Sequence, residues 1–274
     1  MKLTYYGTAA GEGWPGLFCN CELCRAAREL KGKNIRTRSQ ALINHDLLID
    51  LPPDTNMHSL IYGLELGKID NLLVTHSHFD HFNPTDLELL REPFAHNRPN
   101  IFQIYGNSLV KDKIWSNVPN ISDVESNINF HYAVPFEPIR IKDYIVVPLL
   151  ALHDKKEECL FYQITQGNKT ILYAHDTGAF PEQTMDYLKD NKVHLDLVSF
   201  DCTMQSGEDG KNHMGLLDAV KERRKLLNLG LGDDNTLWVV NHFSHNGLWL
   251  HDRMVEEADK YGFLVSFDGM IIEI

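Results

Sequence analysis

Four side chains that can bind metal ions fall within six residues, His76-Ser77-His78-Phe79-Asp80-His81. The segment directly follows an apolar stretch, residues 72–75, whose composition is typical of a buried strand. On a strand, His76 and His78 would point to the same face, and a turn at Phe79 can bring Asp80 and His81 beside them. Imidazole and carboxylate ligands together suit Zn, Mn or Fe(II) better than Ca or Mg. The sequence therefore predicts a transition-metal site at the end of this strand.

Three further candidate ligands, His153, Asp176 and His242, each follow a later apolar stretch. Taken singly, each would more often be an ordinary hydrogen-bonded residue. Their common position changes this interpretation, because layered α/β folds place active sites where strand ends converge. We expect the three residues to lie beside the histidine-rich segment.

Short apolar or β-branched stretches recur along the chain and predict strands, whereas fewer stretches have helical spacing. The order favours sheets faced by helices in layers over a simple alternating parallel sheet. No repeat of 20 to 50 residues and no Pro/Ser-rich linker interrupts the chain, so one domain over residues 1–274 is expected, its two sheets arising from the two halves. The predicted strands are 3–6, 41–44, 47–50, 72–75, 101–105, 145–152, 160–165, 170–173, 195–200, 237–240 and 263–267, and the predicted helices are 85–90, 181–189, 215–227 and 249–261.

The order HxHxDH, a later His, a strand-terminal Asp and a last His resembles the metallo-β-lactamase superfamily over nearly the whole chain. The resemblance implies a four-layered αβ/βα sandwich and a metal-dependent hydrolase with two divalent ions, Mn, Zn or Fe. Two such ions share a bound water that is deprotonated to hydroxide near neutral pH. A pair of ions about 3.5 to 4 Å apart can also hold both the attacking and the leaving oxygen of a phosphoryl transfer. By this resemblance His76, His78 and His153 hold one metal, Asp80, His81 and His242 hold the other, and Asp176 bridges both.

A cysteine cluster lies near the N-terminus, where Cys19, Cys21 and Cys24 account for three of the five cysteines. Such clustering suggests a metal rather than disulfides, and three thiolates can occupy three corners of a tetrahedral zinc site. The cluster resembles that of the accessory phosphodiesterases of carbon–phosphorus lyase systems, which act on phosphoribosyl cyclic phosphate in phosphonate metabolism. This resemblance implies a structural zinc in the 19–24 loop, with His245 as its fourth ligand. The alternative is a loop of reduced thiols.

A second pair of residues, Asp201 and His213, resembles the phosphodiesterase branch of the superfamily. There an acidic residue after a strand orients a histidine that opens a helix, and the histidine donates a proton to the departing alkoxide or hydrogen-bonds a phosphate oxygen. By itself His213 could equally be an ordinary helix-capping residue. With the metal motif present we predict that Asp201 and His213 are catalytic, together with Asp80.

One more carboxylate, Asp50, closes the predicted strand 47–50. It is a candidate hydrogen-bond acceptor for one of the ligand imidazoles. Turn chemistry around Pro52 and Pro53 explains its position almost as well.

Bulk composition restricts the kinds of partner that the protein is expected to bind. The formal net charge of −12 argues against broad adhesion to nucleic acid or anionic membrane, although metal ions in a site would reverse the sign locally. The apolar runs are too short to span a membrane, and the N-terminus does not have the pattern of a signal peptide, so we expect a cytoplasmic protein. A homodimer is compatible with the sequence, since dimers are the commonest assembly.

The leading hypothesis is a phosphodiesterase acting on small cyclic or linear phosphodiesters, of the ribose 1,2-cyclic phosphate or 2′,3′-cyclic nucleotide type. Stretches 92–115 and 230–235 look like additions that could reshape its pocket. A tRNA 3′-processing endonuclease shares the same motifs, but the long Gly- and Pro-rich arm of those enzymes and a basic footprint are both missing from the sequence, so no stable nucleic-acid complex is expected. A thioesterase or lactamase of this fold has no need of the phosphate-facing His213. A non-catalytic metal-binding protein of cofactor biosynthesis is the alternative from another class.

Overall fold

The fold was derived from a computed structural model that describes residues 1–98, 100–207 and 210–274. Two seven-stranded mixed sheets form its centre. The strands of the first sheet are β1 (Lys2–Gly7), β2 (Gln40–Ile43), β3 (Leu47–Ile49), β4 (Asn71–Leu73), β5 (Phe102–Gly106), β6 (Ile128–Tyr132) and β14 (Ile271–Glu273), in the order β14-β1-β2-β3-β4-β5-β6.

The second sheet is built from the later part of the chain. Its strands are β7 (Ile139–Ile141), β8 (Tyr144–Leu150), β9 (Leu160–Gln166), β10 (Lys169–Ala174), β11 (Leu197–Asp201), β12 (Leu237–Asn241) and β13 (Leu264–Val265), in the order β13-β12-β11-β10-β9-β8-β7. The expectation that each half supplies one sheet therefore holds except for β14, which pairs antiparallel with β1 in the first sheet.

Apolar side chains from both sheets interdigitate between them, including Tyr5 and Ile49 of the first sheet and Tyr162, Tyr173 and Val239 of the second. Because successive strand residues face opposite sides, the other face of each sheet needs a cover of its own. The helices provide it: α1 (Glu22–Leu30), α2 (Thr55–Tyr62), α3 (Ser108–Asn117), α4 (Glu182–Asn191), α5 (Leu216–Asn228) and α6 (His251–Asp259).

Two outer cores complete the layers. The α3 residues Val110 and Ile114 pack on the first sheet, and Leu188 of α4, Leu226 of α5 and Met254 of α6 pack on the second. The result is the predicted four-layered αβ/βα sandwich. Within the described residues, the helices are too short and too polar for any of them to cross a lipid bilayer.

Three of the four predicted helices match α4, α5 and α6 within two residues at both ends, whereas residues 84–90 form a 3₁₀ helix. The interpretation of residues 92–115 as an addition is wrong for most of that stretch, because it contains β5, which lies between β4 and β6 in the sheet, and most of α3. Residue 99 of that stretch lies outside the described residues.

Candidate active site

The candidate ligands gather because of strand direction. Strands β3 to β6 are parallel to one another, as are β10 to β13, and β8 shares the direction of β10 since both are antiparallel to β9. The carboxyl ends of these strands lie at one edge of the sandwich, where layered folds place functional side chains. Each residue expected at the site follows or ends one of these strands or lies in the connection after it: Asp50 after β3, His76, His78, Asp80 and His81 after β4, His153 after β8, Asp176 after β10, Asp201 and His213 at or after β11, and His242 after β12.

His76, His78 and His153 form the first cluster, and one ring nitrogen of each lies within 4.8 Å of the others. Nε2 of His153 is 3.2 Å from Nδ1 of His78. The ring centroid of His76 lies 4.5 Å from that of His78 and 5.0 Å from that of His153. Three imidazoles in this arrangement could hold one ion of the zinc type.

Asp80, His81, Asp176 and His242 form the second cluster, and all four are buried. Nε2 of His81 is 3.3 Å from Nε2 of His242 and 3.4 Å from a carboxylate oxygen of Asp80. Two aromatic nitrogens at this distance leave room for one shared proton or one cation between them. The second cluster thus offers a mixed nitrogen and oxygen site.

Asp176 lies between the clusters. Its Oδ2 is 3.6 Å from Nε2 of His76 in the first cluster and 3.4 Å from Nε2 of His242 in the second, and it also contacts Nε2 of His81. Burial alone would raise the pKa of this carboxyl, but His242 and His81 beside it hold the pKa well below its usual range. An ionised carboxylate at this point can serve both clusters.

Each candidate ligand histidine uses its outer ring nitrogen, the one directed away from the other rings, to hydrogen-bond an acceptor outside the clusters. The hydroxyls of Thr75 and Thr203 have carboxylate acceptors for their own protons, so they can accept from the imidazoles. With the outer nitrogen protonated, the inner nitrogen of each ring presents a lone pair to its neighbours, as metal ligation requires. The pairs are His76 Nδ1 with Thr75 Oγ1 (3.1 Å), His78 Nε2 with Asp154 (3.2 Å), His81 Nδ1 with Asp50 (2.7 Å), His153 Nδ1 with the Asn212 carbonyl (3.2 Å) and His242 Nδ1 with Thr203 Oγ1 (2.8 Å).

The buried Nε2 of His76 has no hydrogen-bond partner among residues 1–98, 100–207 and 210–274. An unpaired polar atom in the interior costs free energy unless another group satisfies it. Because the atom faces Asp176 and the other imidazoles, an ion in the cluster would satisfy it. The donor set therefore fits two divalent cations.

Three residues of this edge, Asp50, Asp176 and His242, have left-handed backbone conformations, with φ of 64°, 49° and 65°. Such conformations are uncommon for residues with a Cβ and cluster at functional sites. Asp50 and His242 directly follow the last residue of a strand and Asp176 lies two residues after one, so each turn redirects its side chain towards the clusters. This accounts locally for the placement of these side chains.

Asp201 and His213 lie beside the second cluster. Oδ2 of the buried Asp201 is 3.1 Å from Nδ1 of His213, and Oδ1 of Asp176 is 3.3 Å from the same nitrogen. Although burial disfavours a charged imidazole, Asp201 outweighs this effect and raises the pKa of His213 to about 9. Asp201 therefore favours the protonated ring, and His213 lines an open cavity of 340 Å³ together with His78, Asp80 and His153.

The cysteine cluster is assembled as predicted, with sulfur atoms of Cys19, Cys21 and Cys24 and a ring nitrogen of His245 within 4.8 Å of one another. Nδ1 of His245 is 3.5 Å from the Cys21 sulfur and 3.9 Å from the Cys19 sulfur. Backbone N–H groups donate to the sulfurs, including Cys24 N–H to Cys21, and this bond lowers the pKa of the Cys21 thiol to about 6. Thiolate character at this site suits a zinc ion.

Sequence reasoning missed the loop over residues 151–159, which carries more than His153. Glu157 accepts hydrogen bonds from the N–H and hydroxyl of Ser77, at 2.6 and 2.8 Å, and from Asn107 at 2.7 Å. Asp154 accepts from His78, as described above. The loop therefore clamps the HxHxDH segment from the side of the second sheet, and only the proximity of two acidic residues to His153 could have indicated this.

The two sheets between layers of helices, with the clusters of metal-binding side chains at one edge, define a protein of the metallo-β-lactamase fold. The family model described as beta-lactamase superfamily domain matches residues 45–227, and the chain belongs to this superfamily. Among curated proteins, coenzyme PQQ synthesis protein B of Acinetobacter baylyi is 24% identical over 325 residues, which cover 100% of each chain. An octanoyltransferase of Porphyromonas gingivalis is 33% identical over 90 residues, which cover 31% of this chain and only 17% of that protein.

Solved structures with the same fold include a diphosphatase of the PhnP family, with a TM-score of 0.75, 22% identity and coverage of 100% of this chain and 97% of that one. Zn²⁺-bound PqqB of Methylobacterium extorquens has a TM-score of 0.73 and 18% identity, with both chains covered completely. The short form of human tRNase Z has a TM-score of 0.65 and 17% identity, covering 100% and 99%. At these identities the likenesses establish the fold.

Proposed function

We propose that the protein is a two-metal phosphodiesterase that hydrolyses small cyclic or linear phosphodiesters. The observation that carries the proposal is the pair Asp201 and His213, 3.1 Å apart, beside two clusters of metal-binding side chains at one cavity. A phosphodiester needs a proton donor for its departing alkoxide, whereas a thioester or lactam does not call for a histidine facing a phosphate. This arrangement therefore favours phosphodiesters within the superfamily.

His76, His78 and His153 would hold one ion, Asp80, His81 and His242 the other, and Asp176 would contact both. The ions, Mn, Zn or Fe, would supply an activated water and charge neutralisation for the phosphate. The chain's own residues do the rest: the outer acceptors orient the imidazoles, and Asp201 fixes the proton on Nδ1 of His213. Nε2 of His213 then donates to the leaving oxygen or to a phosphate oxygen.

A third ion, zinc, would be held by Cys19, Cys21, Cys24 and His245 in a purely structural role. The substrate is a small phosphodiester, and phosphonate metabolism is the setting that the cysteine cluster suggests. We also propose that the protein forms no stable complex with nucleic acid and that it is able to form a homodimer. The net charge of −12 supports the first of these points.

The proposal is tested by comparing leaving groups. His213→Gln should lower the turnover of a 2′,3′-cyclic nucleotide, whose alkoxide needs a proton, by about 10²- to 10⁴-fold. Bis-p-nitrophenyl phosphate, whose phenolate leaves without a proton, should lose much less. The exposed His194 provides a matched control, and His194→Gln should leave both substrates unaffected. Equal turnover of the cyclic substrate by His213→Gln with its metals bound would refute the proposed role.

A function in coenzyme synthesis is the second candidate, because the match to coenzyme PQQ synthesis protein B covers both chains completely. Elemental analysis and turnover together separate the two. A protein that binds only the structural zinc after Mn or Zn supplementation, and that turns over no phosphodiester, would favour the second candidate. Strong turnover of precursor tRNA alone would instead favour an endonuclease.

A further inference from the structure

A second concave space opens beside the catalytic cavity. Its volume is 430 Å³, and Gly11 and Glu12 line both spaces, so the two adjoin each other. A Cβ at residue 11 would lie 3.1 Å from Oδ2 of Asp80, tighter than most such contacts. Glycine at this position therefore lets the backbone between the two spaces approach the Asp80 carboxylate closely.

Three large apolar side chains surround the second space and face solvent. Phe18 is 94% exposed, Leu17 is 72% exposed and Phe79 is 59% exposed. Phe79 lies within the HxHxDH segment, between two candidate metal ligands, whereas Leu17 and Phe18 precede the first ligand of the cysteine cluster. Apolar side chains are thus concentrated at the mouth of a cavity that is otherwise polar, an arrangement that often marks a binding site.

Both walls of this space are held in place. The guanidinium of Arg38 lies 5.5 Å from the centroid of the Phe79 ring, and Arg38 is itself held by Asp54 at 3.1 Å and by the Gly11 carbonyl at 2.9 Å. The opposite wall, residues 16–19, is anchored by the cysteine cluster through Cys19. The Phe79 ring, held by Arg38, loses little entropy when a second ring packs against it.

We propose that this space, bounded by Leu17, Phe18 and Phe79, is a subsite for a planar aromatic group attached to the phosphodiester, such as a nucleobase. The inference rests on the proposed function, since it takes the neighbouring cavity as the phosphate site. The shared lining residues Gly11 and Glu12 place this space next to the phosphate site, within reach of a group attached to the substrate. Three side chains around a concave space suit one ring better than a flat protein surface. Aromatic stacking also explains why a sugar phosphate without a base would be a poorer ligand.

The test measures binding rather than turnover. Metal-loaded protein is titrated calorimetrically with adenosine 3′-monophosphate and with ribose 5-phosphate. The nucleotide should bind roughly 5- to 150-fold more tightly, the range expected for stacking of one base. Phe18→Ala and Phe79→Leu should each reduce this preference, and the double variant should abolish it.

Phe94, an exposed phenylalanine that lines neither cavity, provides the matched control, and Phe94→Ala should keep the full preference. Phe18 is almost entirely exposed, so its replacement tests the subsite without disturbing the core, and elemental analysis shows whether Phe79→Leu retains its metals. Equal affinities for the two ligands in the unaltered protein, or a preference that survives the double variant, would overturn the inference.

The result of this binding test is independent of the turnover test of the proposed function. Preferential binding of the nucleotide without any phosphodiester turnover would support the subsite and refute the phosphodiesterase. Turnover of cyclic phosphates without any preference for the nucleotide would do the reverse.

Discussion

Oδ2 of Asp50 lies 2.7 Å from Nδ1 of His81, on the side of the imidazole that faces away from the other candidate ligands. Asp50 also accepts from the N–H of Thr75 at 2.8 Å and from its hydroxyl. A carboxylate behind a ligand imidazole fixes the ring and increases its basicity. This contact confirms the sequence-based interpretation of Asp50 as an acceptor for a ligand histidine.

Asp50→Asn should weaken metal binding by about 10- to 100-fold, because an amide is uncharged and cannot accept from His81 and Thr75 with both of its polar atoms. Asparagine tolerates the left-handed backbone at this position, so the fold should survive. Competition with a chromogenic chelator measures the affinity. The exposed Asp123 gives the control, Asp123→Asn. An affinity that Asp50→Asn leaves unaltered would show that the contact does not tune the site.

Glu157→Gln should destabilise the clamp on the HxHxDH segment. Both oxygens of the carboxylate accept hydrogen bonds, and an amide keeps only one of these acceptors and carries no charge, so the bonds to Ser77 and Asn107 are weakened or rearranged. Urea denaturation of the metal-free protein should show a loss of about 1 to 3 kcal/mol in the free energy of unfolding. The neighbouring Glu158 is exposed, and Glu158→Gln should unfold like the unaltered protein. Identical unfolding curves for both variants would contradict the clamp.

Cys21→Ser should reduce the number of bound metal ions from three to two per chain, since Cys21 lies 3.5 Å from Nδ1 of His245 and caps α1 with its sulfur. A hydroxyl is a much poorer zinc ligand than a thiolate. Elemental analysis after gentle purification gives the count. Cys159 is buried elsewhere, and Cys159→Ala should retain three ions. Three ions in Cys21→Ser would exclude Cys21 as a ligand.

The buried His58 should make stability depend on pH. Its Nδ1 is 2.5 Å from the side-chain oxygen Oε1 of Gln40, and burial lowers the pKa of the imidazole to about 4. Between pH 6.5 and pH 4 the unfolded chain binds a proton at His58 and the folded protein does not, so stability is highest above pH 6.5 and falls as the pH decreases. The expected slope is about 1 kcal/mol per pH unit.

His58→Gln should remove this contribution, whereas the exposed His45 offers a control, His45→Gln, that should retain it. Urea denaturation of metal-free protein at pH 7, 6 and 5 measures the slopes. A slope that His58→Gln shares with the unaltered protein would rule out His58 as the source.

Residue patterns alone predicted layered sheets and the meeting of the site residues, whereas the four-layered sandwich was implied by the family resemblance. His76, His153, Asp176 and His242 all follow buried apolar strands. The apolar stretch and the polar residue after it can both be recognised within a few residues of sequence. The acceptors behind the imidazoles could not be predicted in the same way. Thr75, Thr203 and the Asn212 carbonyl acquire their roles only from the packing of distant segments.

The missed elements share weak apolar patterning. The helix α1 buries Cys24 and Ala27, and α2 buries Thr55 and His58, so neither shows a broad apolar stripe. The edge strands β6 and β14 are largely half-buried or exposed. Such segments are determined by what they pack against, not by their own sequence.

The division of the ligands between the two sheets has a mechanical consequence. The segment after β4 belongs to the first sheet, whereas His153, Asp176 and His242 follow strands of the second. Any cation shared by these groups is a removable cross-link between the sheets at one end of the sandwich. Removal of the ions by a chelator would let the two sheets separate at that end first. The connections after β4 and β8 would then become the earliest sites of cleavage by a protease.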